Sequence, residues 1–331
     1  MSFTRVELDA ATALVRHTLL PTPAYRWPLL SQDVGADVWV KHENHLPVGA
    51  FKVRGGLVYV DRLLRRRPEV SGLISATTGN HGQSLSFAGA AAGLPVQIFV
   101  PYGNSPDKNA AMRAFGAEVV EYGHDYQAAR EHAVALATAD PGLEMVPSFH
   151  PDLVLGVATY ALELFEAVPE IDTVYVPIGM GSGACGLMAV RDLLGLTTEI
   201  VGVVADRADA TARSFAAGKP VATESADTFV DGVATRSPDP DAIALIVAGA
   251  ARIIAVSDDA VAEAMRLQFR TTHNVPEPAG ALALAGLLAE AERARDTRVA
   301  LIQTGGNVDS ATFATVLDGR TPAPPSALVR R

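Results

Sequence analysis

The chain is poor in cysteine and in long apolar runs, and each shortage excludes a class of protein. A single cysteine, Cys185, excludes an internal disulfide and a metal site built from several thiolates. No stretch reaches the roughly 18 uncharged apolar residues of a membrane span. Arg5, Glu7, Asp9 and Arg16 interrupt the apolar positions of the N-terminal stretch, so we expect no signal peptide. The sequence therefore predicts a cytoplasmic protein with no membrane partner.

Basic charge is also scarce. The 331 residues have a formal net charge of −10, which argues against nonspecific nucleic-acid binding because such binding needs basic surface to displace counterions from phosphates. The basic run "RLLRRRP" at 62–68 is typical of a solvated helix end. With 49% hydrophobic residues and Gly and Pro at intervals, the composition indicates a globular chain of one or two domains.

Short β-rich runs that end in Gly or Pro alternate with Ala-rich helical stretches. Examples are "VQIFVPYGN" and "TVYVPIGMGSG" for the runs and "QAAREHAVALATAD" for the stretches. This alternation predicts an α/β fold whose parallel sheets have helices on both faces. Ligands bind beyond the carboxyl ends of such strands. Three Gly-rich segments stand at these points, and we expect them to line one cleft: "ATTGNHGQS" (76–84), "GMGSGACG" (179–186) and "TGGN" (304–307).

Lysine is the rarest charged residue, with 4 Lys against 23 Arg. Lys52 stands in the apolar and Gly-rich segment "GAFKVRGG" (49–56). A partly desolvated lysine can lose its proton and form a Schiff base with a carbonyl, whereas arginine cannot. The alternative is a structural lysine that buries its stem and keeps its head in water, which is the more common case. This segment alone leaves both interpretations open.

The segment "GMGSGACG" presents backbone N–H groups where a predicted strand enters a helix. Such a loop can bind a phosphate, although it can also be a plain packing turn. It lacks the Lys-Ser/Thr pair of a Walker loop and the later acidic residue of a dinucleotide site. A reactive lysine, a phosphate loop and nearby hydroxyl and amide groups are what a phosphorylated aldehyde cofactor needs. Pyridoxal phosphate fits all three.

The sequence resembles the fold-type II pyridoxal-phosphate enzymes, specifically the threonine/serine dehydratase and serine racemase group, from Thr22 to about Phe313. The matching segments occur in family order: "TPAYRWPLLS", "VWVKHENHLPVGAFKVRGG", "ATTGNHGQSLSFAG", "VPYGNSPDKNAAMRAFGAEVV", "VPIGMGSGACG", "EPAGALALAG" and "LIQTGGNVD". The resemblance implies a two-domain fold similar to that of tryptophan synthase β. A large cofactor-binding domain would comprise residues 1–48 and 147–320, and a small domain, with the Schiff-base lysine near its start, residues 49–146. It further implies a homodimer that binds a small amino-acid substrate. The Pro-rich segment "TPAPPSALVRR" predicts a disordered tail at 321–331.

The resemblance also assigns roles to individual residues. Lys52 would form the Schiff base and act as acid and base at the substrate Cα, and Thr78 occupies the position of a second catalytic residue. Asn80 would bind the cofactor's 3-hydroxyl, and Thr304 would face the pyridine nitrogen. The residues expected to contact the cofactor are Phe51, Lys52, Asn80, Gly179, Met180, Gly181, Ser182, Gly183, Gly232, Glu277 and Thr304. The residues expected to bind the substrate are Thr77, Thr78, Asn80 and His81.

The implied activity is a pyridoxal-phosphate-dependent dehydratase that converts a β-hydroxy amino acid, such as threonine or serine, to a 2-oxo acid and ammonia. One alternative is an amino-acid racemase that uses Lys52 and Thr78 on opposite faces of the substrate. Another is a catalytically silent ligand-binding homologue, against which the retention of Lys52 argues. The resemblance places the family's metal-binding carboxylates at Val204 and Ala210, so no metal is predicted. Asp206 and Asp209 are close enough for an offset site, although exposed loop carboxylates are the more common case. The family segment GQGT is "GVAT" (156–159) here, which leaves the side-chain pocket undefined.

Overall fold

The computed structural model describes residues 3–324 and places their strands in two sheets. The tail predicted at 321–331 therefore lies outside the described residues from 325 onwards. The strands are β1 (Ala24–Arg26), β2 (Asp37–His42), β3 (Gly72–Ala76), β4 (Val96–Val100), β5 (Glu118–Glu121), β6 (Leu143–Met145), β7 (Thr173–Pro177), β8 (Glu199–Ala205), β9 (Arg252–Val256) and β10 (Arg298–Gln303).

Helices separate most of these strands along the chain. They are α1 (Arg5–Thr18), α2 (Pro28–Val34), α3 (Lys52–Arg66), α4 (Asn80–Ala92), α5 (Pro106–Ala114), α6 (Tyr126–Ala139), α7 (Pro151–Ala167), α8 (Ser182–Leu193), α9 (Ala210–Ala217), α10 (Pro240–Gly249), α11 (Asp258–Thr272), α12 (Pro278–Ala289), α13 (Ala291–Ala294) and α14 (Ser310–Leu317). Across residues 3–324, none of these helices is both long and apolar enough to cross a lipid bilayer.

The larger sheet has six strands in the order β1-β2-β10-β7-β8-β9, and the smaller has four in the order β5-β4-β3-β6. Every pairing is parallel except that of β1 with β2. Parallel sheets flanked by helices confirm the predicted α/β class. The four strands of the smaller sheet all fall within residues 49–146, whereas the strands of the larger sheet fall outside that range.

The strand β8 shows why the larger sheet needs helices on both faces. Its side chains alternate between two hydrophobic clusters, with Val201 and Val203 in one and Ile200 and Val204 in the other. Alternating side chains point to opposite faces of a sheet, so both faces of β8 are buried. A Cβ at Gly202 would stand 2.3 Å from Ile178 Cδ1, and this close packing explains the glycine within an apolar strand.

The basic run 62–68 lies at the end of α3. Three of its arginines form ion pairs with other elements, so the run is not the solvated helix end that the sequence predicts. Arg62 and Arg66 bind the two carboxylate oxygens of Asp152 at the start of α7, with N–O distances of 3.1 and 2.6 Å. Arg67 binds Glu144 of β6 at 2.6 Å. These ion pairs join α3 to α7 and to the edge of the smaller sheet.

Candidate active site

Three helices begin around one small cavity. Lys52 is the first residue of α3, His81 the second of α4 and Ser182 the first of α8. All three line the cavity together with Ser148. Its remaining lining is apolar or small and comprises Gly55, Leu153 and Val157. Two of the three Gly-rich segments, 76–84 and 179–186, therefore contribute to one cavity from different sheets, whereas no residue of 304–307 is in its described lining.

Lys52 has the surroundings of a reactive amine. Its side chain is partly buried, and its Nζ lies 5.3 Å from the ring centroid of Phe51. Burial lowers the pKa of Lys52, and the carboxylate of Glu277 offsets part of this effect. No hydrogen bond joins the Lys52 amine to another side chain or carbonyl within residues 3–324, while Ser84 Oγ fixes the Lys52 backbone by donating to its carbonyl at 2.7 Å. A lysine with a lowered pKa is a better nucleophile and base because more of it is unprotonated near neutral pH.

Two other lysines are held in ion pairs, in agreement with their structural interpretation. Lys41 is fully buried and donates to Glu163 Oε2 and to the Thr22 carbonyl, each at 2.7 Å. Lys108 is paired with Asp231. Lys219 lies on the exposed surface.

The loop between β7 and α8 requires glycine at two positions, 179 and 181. Gly181 has a φ of +98°, a left-handed conformation that favours glycine. A Cβ at Gly179 would stand 2.8 Å from the carbonyl oxygen of Gly232, and one at Gly183 would stand 3.8 Å from Phe51 Cε2. The structure thus brings Phe51, Gly232 and the 179–183 loop together, although these residues are far apart in sequence. Met180 lies in the same loop, where its Sδ accepts a hydrogen bond from Thr235 Oγ1 at 3.8 Å.

The three helices that begin at the cavity share a second property. None of α3, α4 and α8 has its N-terminus capped by a side chain of the described residues. By contrast, Asp125 caps α6 by accepting a hydrogen bond from the Ala128 N–H at 2.8 Å. Uncapped first-turn N–H groups are suited to a bound anion. The Gly-rich start of α8 and the nearby Lys52 amine therefore fit a phosphorylated aldehyde such as pyridoxal phosphate.

Asn80 connects the loop 76–84 to two other parts of the site. Its Nδ2 donates to both carboxylate oxygens of Glu277, at 2.8 and 3.0 Å, and its Oδ1 accepts from Asn307 Nδ2 at 2.8 Å. Burial raises the pKa of Glu277 to about 7. Thr304 is buried, and its carbonyl accepts a hydrogen bond from the Phe51 N–H at 3.0 Å. Asn307 is a residue that sequence reasoning missed, although it is the last letter of the "TGGN" segment.

The predicted substrate-binding residues lie along the same loop. Thr77 is buried, with its Oγ1 accepting from the Gly79 N–H at 3.3 Å, and Thr78 is partly exposed. His81 is 6% exposed and lines the cavity. Burial and the nearby Lys52 lower the pKa of His81 to about 3, so its ring is neutral at pH 7. The roles of these side chains toward a substrate stay predictions.

The two positions at which the resemblance places the family's metal-binding carboxylates hold apolar side chains. Val204 and Ala210 are fully buried. Of the two nearby acids, Asp209 accepts hydrogen bonds from Arg213 Nε at 2.8 and 2.9 Å. Asp206 lies exposed just after β8. No group of three or more His, Cys, Asp or Glu side chains within residues 3–324 is arranged to hold a metal ion.

Comparison with known proteins identifies the family of the chain. Residues 15–305 match the family described as pyridoxal-phosphate dependent enzyme, and the chain belongs to that family. It is 30% identical to the L-threo-3-hydroxyaspartate ammonia-lyase of Saccharomyces cerevisiae, over 96% of this chain and 97% of that protein. It is also 32% identical to the biosynthetic L-threonine dehydratase of Escherichia coli over 87% of this chain, but it spans only 56% of that protein's length.

A solved structure extends the similarity to three dimensions. The threonine deaminase of T.th. superposes with a TM-score of 0.86 at 31% identity, covering 93% of this chain and 99% of that one. The sequence is also 27% identical to a serine racemase of Schizosaccharomyces pombe, over 93% of this chain and 95% of that protein. The fold is thus that of fold-type II pyridoxal-phosphate enzymes, and the chain is a pyridoxal-phosphate-dependent lyase of the dehydratase and ammonia-lyase type.

Proposed function

We propose that the chain dehydrates and deaminates a small β-hydroxy amino acid, with serine or threonine as the substrate, to a 2-oxo acid and ammonia. The observation that best supports this is the Lys52 amine, which has a lowered pKa and no hydrogen-bond acceptor among the described residues. The cavity beside it adds support, because its apolar side is formed by Leu153 and Val157. Lys52 is the only cation in the described lining of this cavity, so a second substrate carboxylate would have no other positive partner there.

Bound pyridoxal phosphate would supply an electron sink for the pair released at the substrate Cα. The N–H groups of residues 179–183 at the start of α8 would hold its phosphate, and Phe51 would pack against its ring. Asn80 and Glu277 would border the ring as a hydrogen-bonded pair, with Gly232 beside the loop. Thr304 would present its hydroxyl to the pyridine nitrogen.

Lys52 would perform the proton transfer at the substrate. Its lowered pKa leaves a larger neutral fraction, which can remove the Cα proton. Thr77, Thr78, Asn80 and His81 would hold the substrate's α-carboxyl end at the start of α4, where uncapped N–H groups and the helix dipole favour an anion. The fixed Lys52 backbone, anchored by Ser84, keeps the amine close to this point.

A screen of 2-oxo-acid and ammonia release tests this proposal. L-serine, L-threonine and L-threo-3-hydroxyaspartate are supplied in turn to cofactor-loaded protein, with Lys52→Ala as the inactive control. Chiral analysis of the remaining amino acid detects racemisation. The proposal is wrong if neither L-serine nor L-threonine is deaminated, and deamination of L-threo-3-hydroxyaspartate alone would contradict the proposed substrate. Inversion without 2-oxo-acid release would make the chain a racemase that uses Lys52 and Thr78. Absence of visible cofactor absorbance would identify a silent homologue.

We further propose that residues 1–48 and 147–320 form a large domain and residues 49–146 a small one, which the separation of their strands into two sheets supports. A cytoplasmic homodimer is the proposed state of the protein. Exposed Leu20, Tyr25 and Leu29 support an interface near β1. Light scattering on the purified protein gives the mass that decides between monomer and dimer.

A further inference from the structure

Tyr160 is a fully buried side chain of α7 that contacts two distant segments of the chain at once. Its hydroxyl donates a hydrogen bond to the Gly183 carbonyl at 2.9 Å. Its ring packs edge-on against the ring of Phe51, with 6.2 Å between the ring centroids and an angle of 76° between the ring planes. Tyr160 therefore connects the residue that precedes Lys52 to the loop 179–183.

The buried hydroxyl of Tyr160 is a permanent hydrogen-bond donor. Burial raises the pKa of Tyr160 well above its ordinary value, so the hydroxyl stays protonated at neutral pH. A phenylalanine would fill the same space without a polar atom, and burial of a polar atom is unfavourable unless the atom is hydrogen-bonded. The hydrogen bond to Gly183 is therefore what the hydroxyl adds at this position.

The helix that contains Tyr160 is in close backbone contact with both of its neighbours. A Cβ at Gly156 would stand 2.3 Å from the Arg54 carbonyl oxygen of α3. A Cβ at Gly186 of α8 would stand 3.1 Å from the Ala158 Cα of α7. Closely packed elements transmit a displacement instead of absorbing it. The helix α7 therefore sets the distance between α3 and α8.

The starts of α3 and α8 are where we place the two ends of the cofactor. Lys52 would bind the aldehyde of pyridoxal phosphate, and residues 179–183 would bind its phosphate. The ring between these two groups is rigid, so both can be bound well only if the amine and the loop are the right distance apart. A spacing that exists before binding raises affinity, because less order has to be imposed when the ligand binds.

We propose that Tyr160 is a positioning residue that fixes the loop 179–183 relative to Lys52, so that the protein binds the aldehyde end and the phosphate end of pyridoxal phosphate together. The proposal concerns the cofactor and does not depend on which amino acid is the substrate. Loss of the Tyr160 hydroxyl should therefore weaken the binding of a ligand with both ends, and spare ligands that have only one.

Three ligands test the two ends separately in cofactor-free protein. Pyridoxal phosphate has both ends, pyridoxal has the aldehyde without the phosphate, and pyridoxine phosphate has the phosphate without the aldehyde. Tyr160→Phe removes the hydroxyl and keeps the ring. Tyr175→Phe is the matched control, because Tyr175 is also buried and its hydroxyl donates to Glu290 at 3.2 Å.

Isothermal titration calorimetry measures the affinity of each protein for each ligand. We expect Tyr160→Phe to bind pyridoxal phosphate about tenfold more weakly, which is the usual effect of losing one buried hydrogen bond. Its affinities for pyridoxal and pyridoxine phosphate should change by less than about threefold, because a ligand with one end does not depend on the spacing. Tyr175→Phe should bind all three ligands as the wild type does.

Three results would overturn the proposal. One is an unchanged affinity of Tyr160→Phe for pyridoxal phosphate. Another is an equal loss for pyridoxal phosphate and for either ligand with one end, since Tyr160 would then act on that end alone. The third is an equal loss in Tyr175→Phe, which would make the effect a general consequence of a weakened core.

A second variant tests the same spacing from the other side of α7. Gly156→Ala must push α7 away from the Arg54 carbonyl, because the added Cβ has no room there. We expect the same pattern, a loss for pyridoxal phosphate that pyridoxal and pyridoxine phosphate do not share. This variant decides the question if Tyr160→Phe does not fold, as judged by urea unfolding, and an unchanged affinity for pyridoxal phosphate would again contradict the proposal.

Discussion

Asn80 donates its side-chain amide to both carboxylate oxygens of Glu277, at 2.8 and 3.0 Å. This pair joins the start of α4 to the residue that precedes α12, 197 positions later in the chain. Glu277 is 5% exposed, and burial is the main reason that its pKa rises to about 7. The Glu277 carboxyl group, whose charge acts on Lys52, is therefore a mixture of neutral and charged forms near neutral pH.

The raised pKa of Glu277 predicts that the cofactor-free protein loses stability as pH rises. Between pH 4.5, the ordinary pKa of Glu, and about pH 7, the folded protein holds a proton that the unfolded chain has released. The free energy of unfolding therefore falls across this range, by up to about 3 kcal/mol for a shift of this size. Glu277→Gln should remove this fall, whereas Glu224→Gln on the exposed surface should keep it. Urea unfolding at pH 5, 6.5 and 8 gives the free energy of unfolding of the wild type and of both variants as a function of pH. If this free energy changes with pH in the same way for the wild type and Glu277→Gln, the prediction is wrong.

Arg54 is the centre of a buried cluster of charges whose loss should be costly. It is fully buried and binds Glu43 through Nε at 2.7 Å and Glu163 through a second nitrogen at 2.7 Å. Arg54→Met leaves two buried carboxylates with less positive charge, so we expect a loss of about 3–5 kcal/mol in the free energy of unfolding. The control Arg65→Met breaks an exposed pair with Asp61 and should leave the free energy of unfolding nearly unchanged, because exposed ion pairs contribute little. Denaturant titration at pH 7 measures the free energy of unfolding of both variants. Equal losses for Arg54→Met and Arg65→Met would mean that the burial of the Arg54 ion pairs is unimportant.

The sequence predicts the parts of the fold that local patterns encode. The apolar runs "VQIFVPYGN" and "TVYVPIGMGSG" identify β4 and β7, and the Ala-rich stretch "QAAREHAVALATAD" identifies α6. Sequence patterns do not predict β1, a three-residue strand that pairs antiparallel with β2. Such a short strand has too few residues to show a period, and its partner decides whether it forms.

The site is predictable where one segment contains the whole signal and unpredictable where distant residues meet. The loop 179–183 has its glycines in one run, but Arg54 and Glu163 are 109 positions apart and no local pattern joins them. Ser148 and Val157 likewise become cavity walls only after α7 packs against α3. Their roles depend on tertiary packing, which a motif does not contain.

Lys52 should be the lysine that binds the cofactor. Purified protein loaded with pyridoxal phosphate should absorb visible light, and borohydride reduction should fix the cofactor to the peptide that contains Lys52. The physical reason is that burial lowers its pKa while its amine has no hydrogen-bond partner among the described residues, whereas Lys41 and Lys108 are held in ion pairs. Burial lowers the pKa of Lys41 as well, so the ion pair with Glu163 is what separates Lys41 from Lys52. Lys52→Ala should lose the absorbance, whereas Lys219→Ala should retain it. An adduct mapped to any other lysine would refute the assignment.

Turnover should survive removal of divalent metal ions. Val204 and Ala210 have no oxygen to offer a hard cation, and Asp209 is already bound to Arg213. Activity is measured before and after exhaustive chelation, and again with magnesium or calcium restored. A large loss that the metal reverses would show that Asp206, Asp209 or another oxygen cluster binds a cation.

Thr304 should keep the pyridine nitrogen of the bound cofactor unprotonated and so favour elimination. A hydroxyl can donate a hydrogen bond to a neutral ring nitrogen, whereas a carboxylate at that position would stabilise the protonated ring. Thr304→Asp should therefore strengthen the electron sink, lengthen the life of the Cα carbanion and allow it to be reprotonated before the β-hydroxyl leaves. We expect slower 2-oxo-acid release and more exchange of the Cα hydrogen with deuterium from solvent.

Thr304→Ser is the matched control, because it keeps the hydroxyl and should keep the wild-type ratio of elimination to exchange. Thr304 could instead serve only to shape the turn formed by the "TGGN" segment. Thr304→Asp would then lose stability or cofactor affinity, and the ratio of elimination to exchange would not change. Product ratios from cofactor-saturated protein in heavy water distinguish the two outcomes.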